Sequence, residues 1–289
     1  MHWMSRALLL TALAAWMPAA FAMTDGWSQD GIWDDGQAEI AFYQLERQRD
    51  EYGRSRAQSI LVGTYLVKHN FDAGAQTKSA SGTPAFKWSL FYEFESGAYQ
   101  YKRAWVLNVA QDDLRPLKMS FTSFDWCSNR YEELAFLPNG RVESLARSDD
   151  YGNRETSFAV VQNAYPAAQV PVLVRGLDFS SQKEHRFQIL LPDGKRVSAR
   201  AEFAGREPVI APAGSYDAEK ITVRYDSSVP SILGESSDLV EHYWRATGPD
   251  RLLVRVEAPN YQLELVEHLR SPYWSDNFYP RLKTIQERP

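Results

Sequence analysis

The segment 88–109, WSLFYEFESGAYQYKRAWVLNV, decides the fold that we expect for this chain. Large apolar side chains occupy every second position from Trp88 to Phe94. A second alternating run follows Glu95-Ser96-Gly97 and continues from Tyr99 to Val109. Successive side chains of a β-strand point to opposite faces, so a period of two predicts two strands. The short connection with a glycine predicts that these strands form an antiparallel hairpin.

Similar hairpins are predicted elsewhere in the chain. Asn139-Gly140 and Asp193-Gly194 each separate two alternating runs, and both dipeptides favour tight turns because their residues tolerate positive φ. Further strands are expected at 39–45, 59–67, 220–225, 242–246, 252–257 and 261–266. The polar, arginine-rich segment 46–56 is expected to separate the first two of these strands, and the polar segment 226–237 is expected to be a loop.

Helical signal is confined to a short stretch, 166–177, in which Pro171 fits the first turn of a helix. Many short alternating runs with little helix predict a mainly β protein. We expect a strongly curved antiparallel sheet that forms an open barrel or half-barrel, with little helix.

The first 22 residues have the layout of a secretory signal peptide. Arg6 precedes an apolar run at 7–17, and Ala20-Phe21-Ala22 places small residues at the cleavage site. The run is too short to span a bilayer comfortably, and no later apolar segment predicts a transmembrane helix. We therefore expect residues 23–289 to form a single exported β-rich unit, periplasmic or secreted. The best position for a boundary between two halves is 160–168.

Composition narrows the range of partners. The chain has 289 residues with 32 basic and 37 acidic side chains, a net charge of −5, which disfavours binding to nucleic acid. Its single cysteine, Cys127, cannot form an intrachain disulfide, and we expect it to be a small buried side chain. An intermolecular disulfide or a metal thiolate is the alternative. Composition leaves the oligomeric state open.

Several strings resemble exported proteins of Gram-negative bacteria. Residues 33–40, WDDGQAEI, and 124–128, FDWCS, resemble segments of uncharacterised exported proteins. The strings 212–218, PAGSYDA, 243–244, YW, and 252–256, LLVRV, resemble a domain-of-unknown-function family numbered 3108. That resemblance implies a strongly curved antiparallel sheet akin to the open barrels of the periplasmic lipoprotein carriers LolA and LolB. It implies no activity and no catalytic residues.

The aromatic content, 13% of residues, is the feature that points most directly to a function. In a half-barrel with an uncovered concave face, aromatic side chains could line an apolar cavity for a lipid or another hydrophobic ligand. The candidate cavity residues are Trp88, Tyr92, Tyr101, Trp105, Trp126 and Trp244. In a closed sandwich the same residues would form the core.

Two other functions compete with that of a binding module. An exported hydrolase could use the carboxylate pair Glu93 and Glu95, which share a strand face, or His242. An envelope structural or assembly protein would instead expose an apolar patch or a sheet edge. The histidines show no metal-binding spacing, and the sequence contains no phosphate- or dinucleotide-binding loop. We therefore predict no metal and no cofactor.

Overall fold

The computed structural model describes residues 24–51, 54–96, 99–230, 232–233 and 237–272, together with Trp274 and Thr284. Residues 1–22, interpreted as a signal peptide, lie outside the described residues, so their cleavage stays a prediction. Gly97, in the first predicted hairpin turn, also lies outside them.

Strands in the first half of the chain pair with their neighbours in sequence. These strands are β1 (Ala38–Glu51), β2 (Arg54–Asp72), β3 (Thr77–Lys78), β4 (Thr83–Ser96), β5 (Tyr99–Ala110), β6 (Pro116–Phe124), β7 (Asn129–Phe136), β8 (Arg141–Ser148) and β9 (Arg154–Ala159). The two-residue β3 pairs only with the end of β2 among the described strands. Otherwise the order is β1-β2-β4-β5-β6-β7-β8-β9, and each neighbouring pair is antiparallel.

The second half of the chain completes the sheet. Its strands are β10 (Ala164–Pro166), β11 (Glu184–Leu190), β12 (Arg196–Ala211), β13 (Gly214–Pro230), β14 (Ser237–Ala246), β15 (Leu253–Ala258) and β16 (Tyr261–Ser271). Strand β10 runs parallel to β11, and the following neighbours are antiparallel. Strand β16 pairs with β1, with Ser271 opposite Ala38. The described strands thus form one open 16-stranded sheet that ends at β9 and β10.

The hairpin predicted from segment 88–109 is confirmed. Leu90 on β4 lies opposite Trp105 on β5, and both side chains belong to the buried core inside the curve of the sheet. Gly140 and Gly194 have φ of +77° and +83°, as the predicted tight turns require. The predicted fold class, a mainly β protein with an open, curved antiparallel sheet, is confirmed as well.

The strands predicted on either side of 46–56 extend well into that segment, and the loop predicted at 226–237 is wrong for its first part. Strands β1 and β2 run through most of the first segment, and β13 continues to Pro230 in the second. Polar side chains at alternate positions give no apolar period of two, so these extensions carry no strand signal. Arg47 is one example: it is buried on the inner face, with its guanidinium carbon 4.5 Å from the ring centre of Phe94.

A seven-residue helix, α1 (Val170–Gly176), lies inside the curved sheet. It follows a 3-10 turn at Ala167–Gln169, and Pro171 lies in its first turn, as predicted. Two further 3-10 turns, Trp27–Gln29 and Gly31–Asp34, precede β1. The apolar side chains of α1 are buried except for the half-buried Pro171, which is typical of a helix within a core. The helix therefore forms part of the core inside the curve of the sheet.

Two buried arginines fix α1 to the sheet. Arg175 of the helix donates from Nη1 and Nη2 to the two carboxylate oxygens of Glu39 on β1, both at 2.7 Å. Arg245 on β14 donates from Nη1 to three carbonyl oxygens at 2.8–3.0 Å, those of Val174, Arg175 and Leu177. Carbonyl groups at the end of a helix lack intrahelical partners, so this arginine caps the helix. Both contacts are charge-assisted hydrogen bonds, the stronger kind.

Glu219 on β13 accepts a hydrogen bond from Nη2 of Arg245 at 2.7 Å, and this pair makes the cap sensitive to pH. Burial acts to raise the pKa of its carboxyl group, but hydrogen bonds from Arg206 and Arg245 outweigh burial and hold the pKa below the ordinary value of 4.5. A native pKa below that of the unfolded chain stabilises the folded protein above the unfolded-state pKa. This stabilisation is lost as the pH falls through the native pKa.

We therefore expect the Glu219→Gln variant to be less stable than the wild type near neutral pH. The difference should shrink as the pH falls below about 4.5, because the wild-type carboxyl group then becomes neutral too. Urea unfolding of both proteins at several pH values measures the difference. A stability difference that does not change between neutral and acidic pH would contradict the prediction.

The two ends of the sheet overlap without pairing. The turn between β11 and β12 lies against the inner face of β8 and β9, where the Ser144 hydroxyl donates to the Pro192 carbonyl oxygen at 2.6 Å. Gly194 packs so close to Phe158 that a Cβ on Gly194 would lie 2.9 Å from a carbon of the ring. Glycine at this position therefore allows the turn to fit under β9.

Candidate functional site

A groove of about 620 Å³ opens beside this overlap. Its floor is the concave face of β5 and β6, and it presents Tyr101, Trp105, Met119 and Phe121. The opposite wall consists of residues 166–168, before α1, and residues 190–192, at the turn between β11 and β12. The two facing sides carry apolar side chains, and Arg103 lies between Tyr101 and Trp105 on the floor.

The aromatic floor is closely packed. The ring centre of Trp105 lies 4.6 Å from that of Phe121 and 6.0 Å from that of Tyr92 on β4. Tyr101 stacks on Phe94 with a centre-to-centre distance of 5.0 Å. These separations are in the favourable range for aromatic pairs, about 4.5–7 Å. Since Trp105 is only 9% exposed, most of its surface packs on the core, and the floor is formed before any ligand binds.

The mouth of the groove is polar. The guanidinium carbon of Arg130 on β7 lies 5.5 Å from the ring centre of Phe121 and 5.6 Å from that of Tyr151. Arg130 also pairs with Glu132 at 2.5 Å, and Arg154 on β9 adds a second guanidinium group to the mouth. Arg103 also lies on the floor, with its guanidinium carbon 5.2 Å from the ring centre of Phe94. A groove that combines aromatic and charged side chains matches a ligand that has an apolar body and a polar end.

A second cavity, of about 30 Å³, lies deeper in the molecule. Ile232 lines both the groove and this inner cavity, so it separates the two. Tyr43, Trp88 and Arg175 are among its other lining residues, and burial raises the pKa of the Tyr43 phenol above its usual value. The volume is sufficient for about one or two water molecules, so the groove is the better candidate for a ligand site.

A buried carboxylate, Glu241 on β14, is the acceptor for three tyrosine hydroxyls. Tyr225 and Tyr243 donate to Oε2 at 2.5 and 2.6 Å, and Tyr261 donates to Oε1 at 2.8 Å. Burial and the neighbouring carboxylate raise the pKa of Tyr243 well above its ordinary value, which keeps this phenol protonated as a donor. Sequence analysis missed this cluster. The available signal was that Glu241 and Tyr243 share one strand face.

The structure brings four of the six predicted cavity residues to the inner face of the sheet. Tyr101 and Trp105 line the groove, Tyr92 packs against Trp105, and Trp88 borders the inner cavity. Trp126 lies in the turn at the mouth of the groove, where it is 79% exposed. Ring contacts through Tyr99 and Phe94 link Trp126 to Tyr101, Tyr92 and Trp105, whereas Trp88 lies apart from this series beside the inner cavity.

Trp244 does not join them, because it lies on the outer face of β14. There its ring lies 4.5 Å from the Nζ of Lys220, and its Nε1 donates to Glu207 on β12 at 2.5 Å. Arg255 donates to the carbonyl oxygen of Ile210 at 3.0 Å, so the β12–β13 hairpin covers this face and buries the indole. The inner face at this point instead carries Tyr243.

The candidate hydrolase residues do not share a cleft with one another. Glu93 and Glu95 are exposed on the outer face of β4, and Glu93 pairs with Lys102 at 2.9 Å. His242 lies on β14 with its Nδ1 3.0 Å from the Thr222 hydroxyl, and four strands of the sheet separate it from β4. Partial burial lowers the pKa of His242 below its usual value. Neither the groove nor the inner cavity is lined by these side chains.

Cys127 is exposed in the turn after β6, so the prediction that it is buried is wrong. The Asp125 carboxylate accepts the backbone N–H of Cys127 at 2.8 Å, and the turn is stabilised by this contact rather than by burial of the thiol. A side chain in such a turn packs against few neighbours. The sequence around Cys127 does not show that the residue lies in a turn, so its exposure could not be predicted.

One group of side chains has the residue types of a metal site. Glu39, Asp250 and His268 offer ligand atoms within 4.8 Å of one another. Both oxygens of Glu39 already accept hydrogen bonds from Arg175. A guanidinium group at this position repels a cation, so the trio is better described as part of the ion-pair network that positions α1.

No helix among the described residues is long and apolar enough to cross a membrane. The open sheet is similar to that of a solved β-barrel-like protein of domain of unknown function DUF1849 from Brucella abortus. This match has a TM-score of 0.51 at 9% sequence identity and covers 81% of this chain and 97% of that chain. The fold therefore belongs to the class of β-barrel-like open sheets.

Two further solved structures match at lower TM-scores. A protein described as exported, with a YmcC-like fold, from Bacteroides fragilis has a TM-score of 0.28 at 10% identity, covering 80% of this chain and 95% of its own. A protein described as a lipoprotein from Parabacteroides distasonis has a TM-score of 0.24 at 11% identity, covering 79% and 95%. Scores this low add no argument. No family model and no curated protein matches the chain, so the resemblance to the family numbered 3108 stays a prediction.

Proposed function

We propose that the protein is an exported, non-catalytic binding module that holds an apolar or amphipathic ligand in the groove at the overlap of the sheet. The observation that supports this most strongly is the groove itself, about 620 Å³, which combines aromatic side chains on its floor and apolar side chains on the facing wall with charged groups such as Arg103. Pockets for small ligands usually measure about 300–1,000 Å³ and combine apolar side chains with a few polar groups. The signal-like segment 1–22 supports export.

The physical basis for binding is the apolar surface that water covers when the groove is empty. Burying an aromatic or large aliphatic side chain stabilises a complex by about 1.5–3 kcal/mol. Trp105 and Phe121 already pack against each other and against the core, so little ordering is needed when a ligand enters. Arg130 and Arg154 at the mouth can contact a polar end of the ligand while its body lies on the rings.

The other two functions are less well supported. A hydrolase would need polar groups that converge in one cleft, whereas Glu93 and Glu95 lie apart from His242 on the outer face. An envelope assembly protein would use the outer edge of β9, which has no partner strand among the described residues. An unpaired edge allows another strand to pair with it, but it does not account for the groove.

We expect saturable binding of the neutral fluorescent probe N-phenyl-naphthylamine and its displacement by palmitate. Ala167→Trp should fill the groove from its wall, and Trp105→Ala should remove part of its floor. Each change should weaken probe binding about tenfold, the equivalent of one lost apolar side-chain contact. The matched control is Phe91→Ala, which removes a ring from the outer face of β4.

Ala167→Trp is the more decisive variant because it leaves the core intact, whereas Trp105→Ala also lowers stability. Wild-type affinity in Ala167→Trp, measured by probe titration, would contradict the proposal. So would probe binding that does not saturate. Mass spectrometry of protein purified from its native compartment then identifies the bound molecule.

A further inference from the structure

The mouth of the groove carries two exposed rings, which we call the aromatic rim. They are Trp126, in the turn after β6, and Tyr151, in the turn between β8 and β9. Their side chains are 79% and 80% exposed. Large aromatic side chains grouped at one place on a surface usually mark an interaction site.

The aromatic rim is held in place by the fold. The Ser128 hydroxyl donates to Asp150 Oδ2 at 2.6 Å, which ties the two turns together. The ring of Trp126 stacks on that of Tyr99, with centres 6.0 Å apart and planes 14° from parallel. The rings therefore project into solvent from a rigid base, and little conformational freedom is lost when they contact a partner.

We propose that the aromatic rim docks the protein on the surface of a zwitterionic lipid bilayer. Tryptophan and tyrosine combine an apolar ring with a polar group, and they are enriched where headgroups meet acyl chains. The charged side chains that line the groove and its mouth nearly balance: Asp125, Glu132, Asp150 and Asp193 against Arg103, Arg130 and Arg154. This surface has no positive excess to attract anionic lipid. Zwitterionic headgroups offer a phosphate to guanidinium groups and an ammonium group to carboxylates.

The aromatic rim is continuous with the groove. Tyr151 belongs to the rim and also lines the groove, and Asp125 and Ser128 line it beside Trp126. Docking through the rim would place the mouth of the groove against the lipid surface, so a ligand could pass between them without crossing water. The docking itself depends on the exposed rings and not on a ligand in the groove. It can therefore be tested separately from ligand binding.

Cys127 provides the probe for the first experiment, because it is the single cysteine of the chain and lies exposed beside Trp126. We expect an environment-sensitive fluorophore on Cys127 to shift its emission to the blue when phosphatidylcholine vesicles are added. Added phosphatidylglycerol should not strengthen the response, and added salt should not weaken it. The control carries the fluorophore at Ile210→Cys in a Cys127→Ser background, since Ile210 is 76% exposed away from the rim and should show no shift.

The second experiment is vesicle flotation of the Trp126→Ser/Tyr151→Ser variant. We expect a bound fraction about tenfold lower than that of the wild type, whereas Ile210→Ser should bind normally. The substituted side chains are mostly exposed, so the variant should fold, which its circular dichroism spectrum and its urea unfolding curve check independently of the groove. The proposal would be overturned by equal flotation of the variant, by binding only to anionic vesicles, or by no vesicle binding at all, as expected if the rim contacts a protein. Saturable probe binding by the wild-type protein in any of these cases leaves the proposed function intact.

Discussion

Replacing Arg175 by methionine is expected to lower the free energy of unfolding by about 3–5 kcal/mol. Both side chains of the Arg175–Glu39 pair are 4% exposed, and the guanidinium group meets both carboxylate oxygens at 2.7 Å. Removing the arginine leaves the carboxylate of Glu39 buried without its counter-charge. It also removes a cation that lies 4.9 Å from the ring centre of Trp27. Urea unfolding followed by circular dichroism measures the loss.

The combined variant Glu39→Met/Arg175→Met tests this explanation. It removes both charges together, and apolar replacement of a whole buried pair is often close to neutral, so much of the lost stability should return. Lys102→Met is the matched surface control, since its pair with Glu93 is half-exposed and should contribute less than about 1 kcal/mol. A double variant as unstable as Arg175→Met would show that lost packing, and not the unpaired charge, dominates.

Replacing Glu241 by leucine should also cost about 3–5 kcal/mol of unfolding free energy. The carboxylate is the common acceptor of the Tyr225, Tyr243 and Tyr261 hydroxyls. Each buried donor that loses its acceptor costs about 1–3 kcal/mol. Tyr243→Phe should have a smaller effect, because the carboxylate keeps its other two donors. Thermal and urea unfolding of both variants measure these losses.

A double-mutant cycle distinguishes a network from independent contacts. Glu241→Leu/Tyr243→Phe should be less destabilised than the sum of the two single variants, because the phenylalanine leaves no hydroxyl to be stranded. The control is Glu257→Leu on β15, whose carboxylate lies on the outer face and is partly exposed. Additive effects within error would mean that Glu241 and Tyr243 do not interact energetically.

The fold could be predicted because its main signal is local. Alternation from Trp88 to Val109 gives both the strands and their inner face, and Gly140 and Gly194 mark turns by their tolerance of positive φ. The same signal fails where a polar side chain faces inward. Arg47 breaks the apolar alternation of β1 although it is buried inside the sheet.

The candidate site was less accessible to sequence reasoning, because it depends on contacts between distant residues. Trp105 on β5 and Pro192 at the turn between β11 and β12 line the same groove, and nothing near either residue in the sequence indicates the other. The choice of face also matters. The prediction places Trp244 on the inner face of β14, but the residue before it, Tyr243, is the one that faces inward. Neighbouring residues of a strand point to opposite faces, so an error of one position puts every side chain on the wrong face.

The pairing of β1 with β16 has a consequence for how the molecule reaches its folded state. Ala38 lies opposite Ser271, so the middle of the sheet is closed by residues from opposite ends of the described chain. Each half can form hairpins between neighbouring strands, but these two strands stay at unpaired edges until the last strand is available. Closing so long a loop is slow, because its entropy must be lost before any contact forms. We therefore expect the centre of the finished sheet to be the last part to assemble, so that a chain held before that step remains open along its middle.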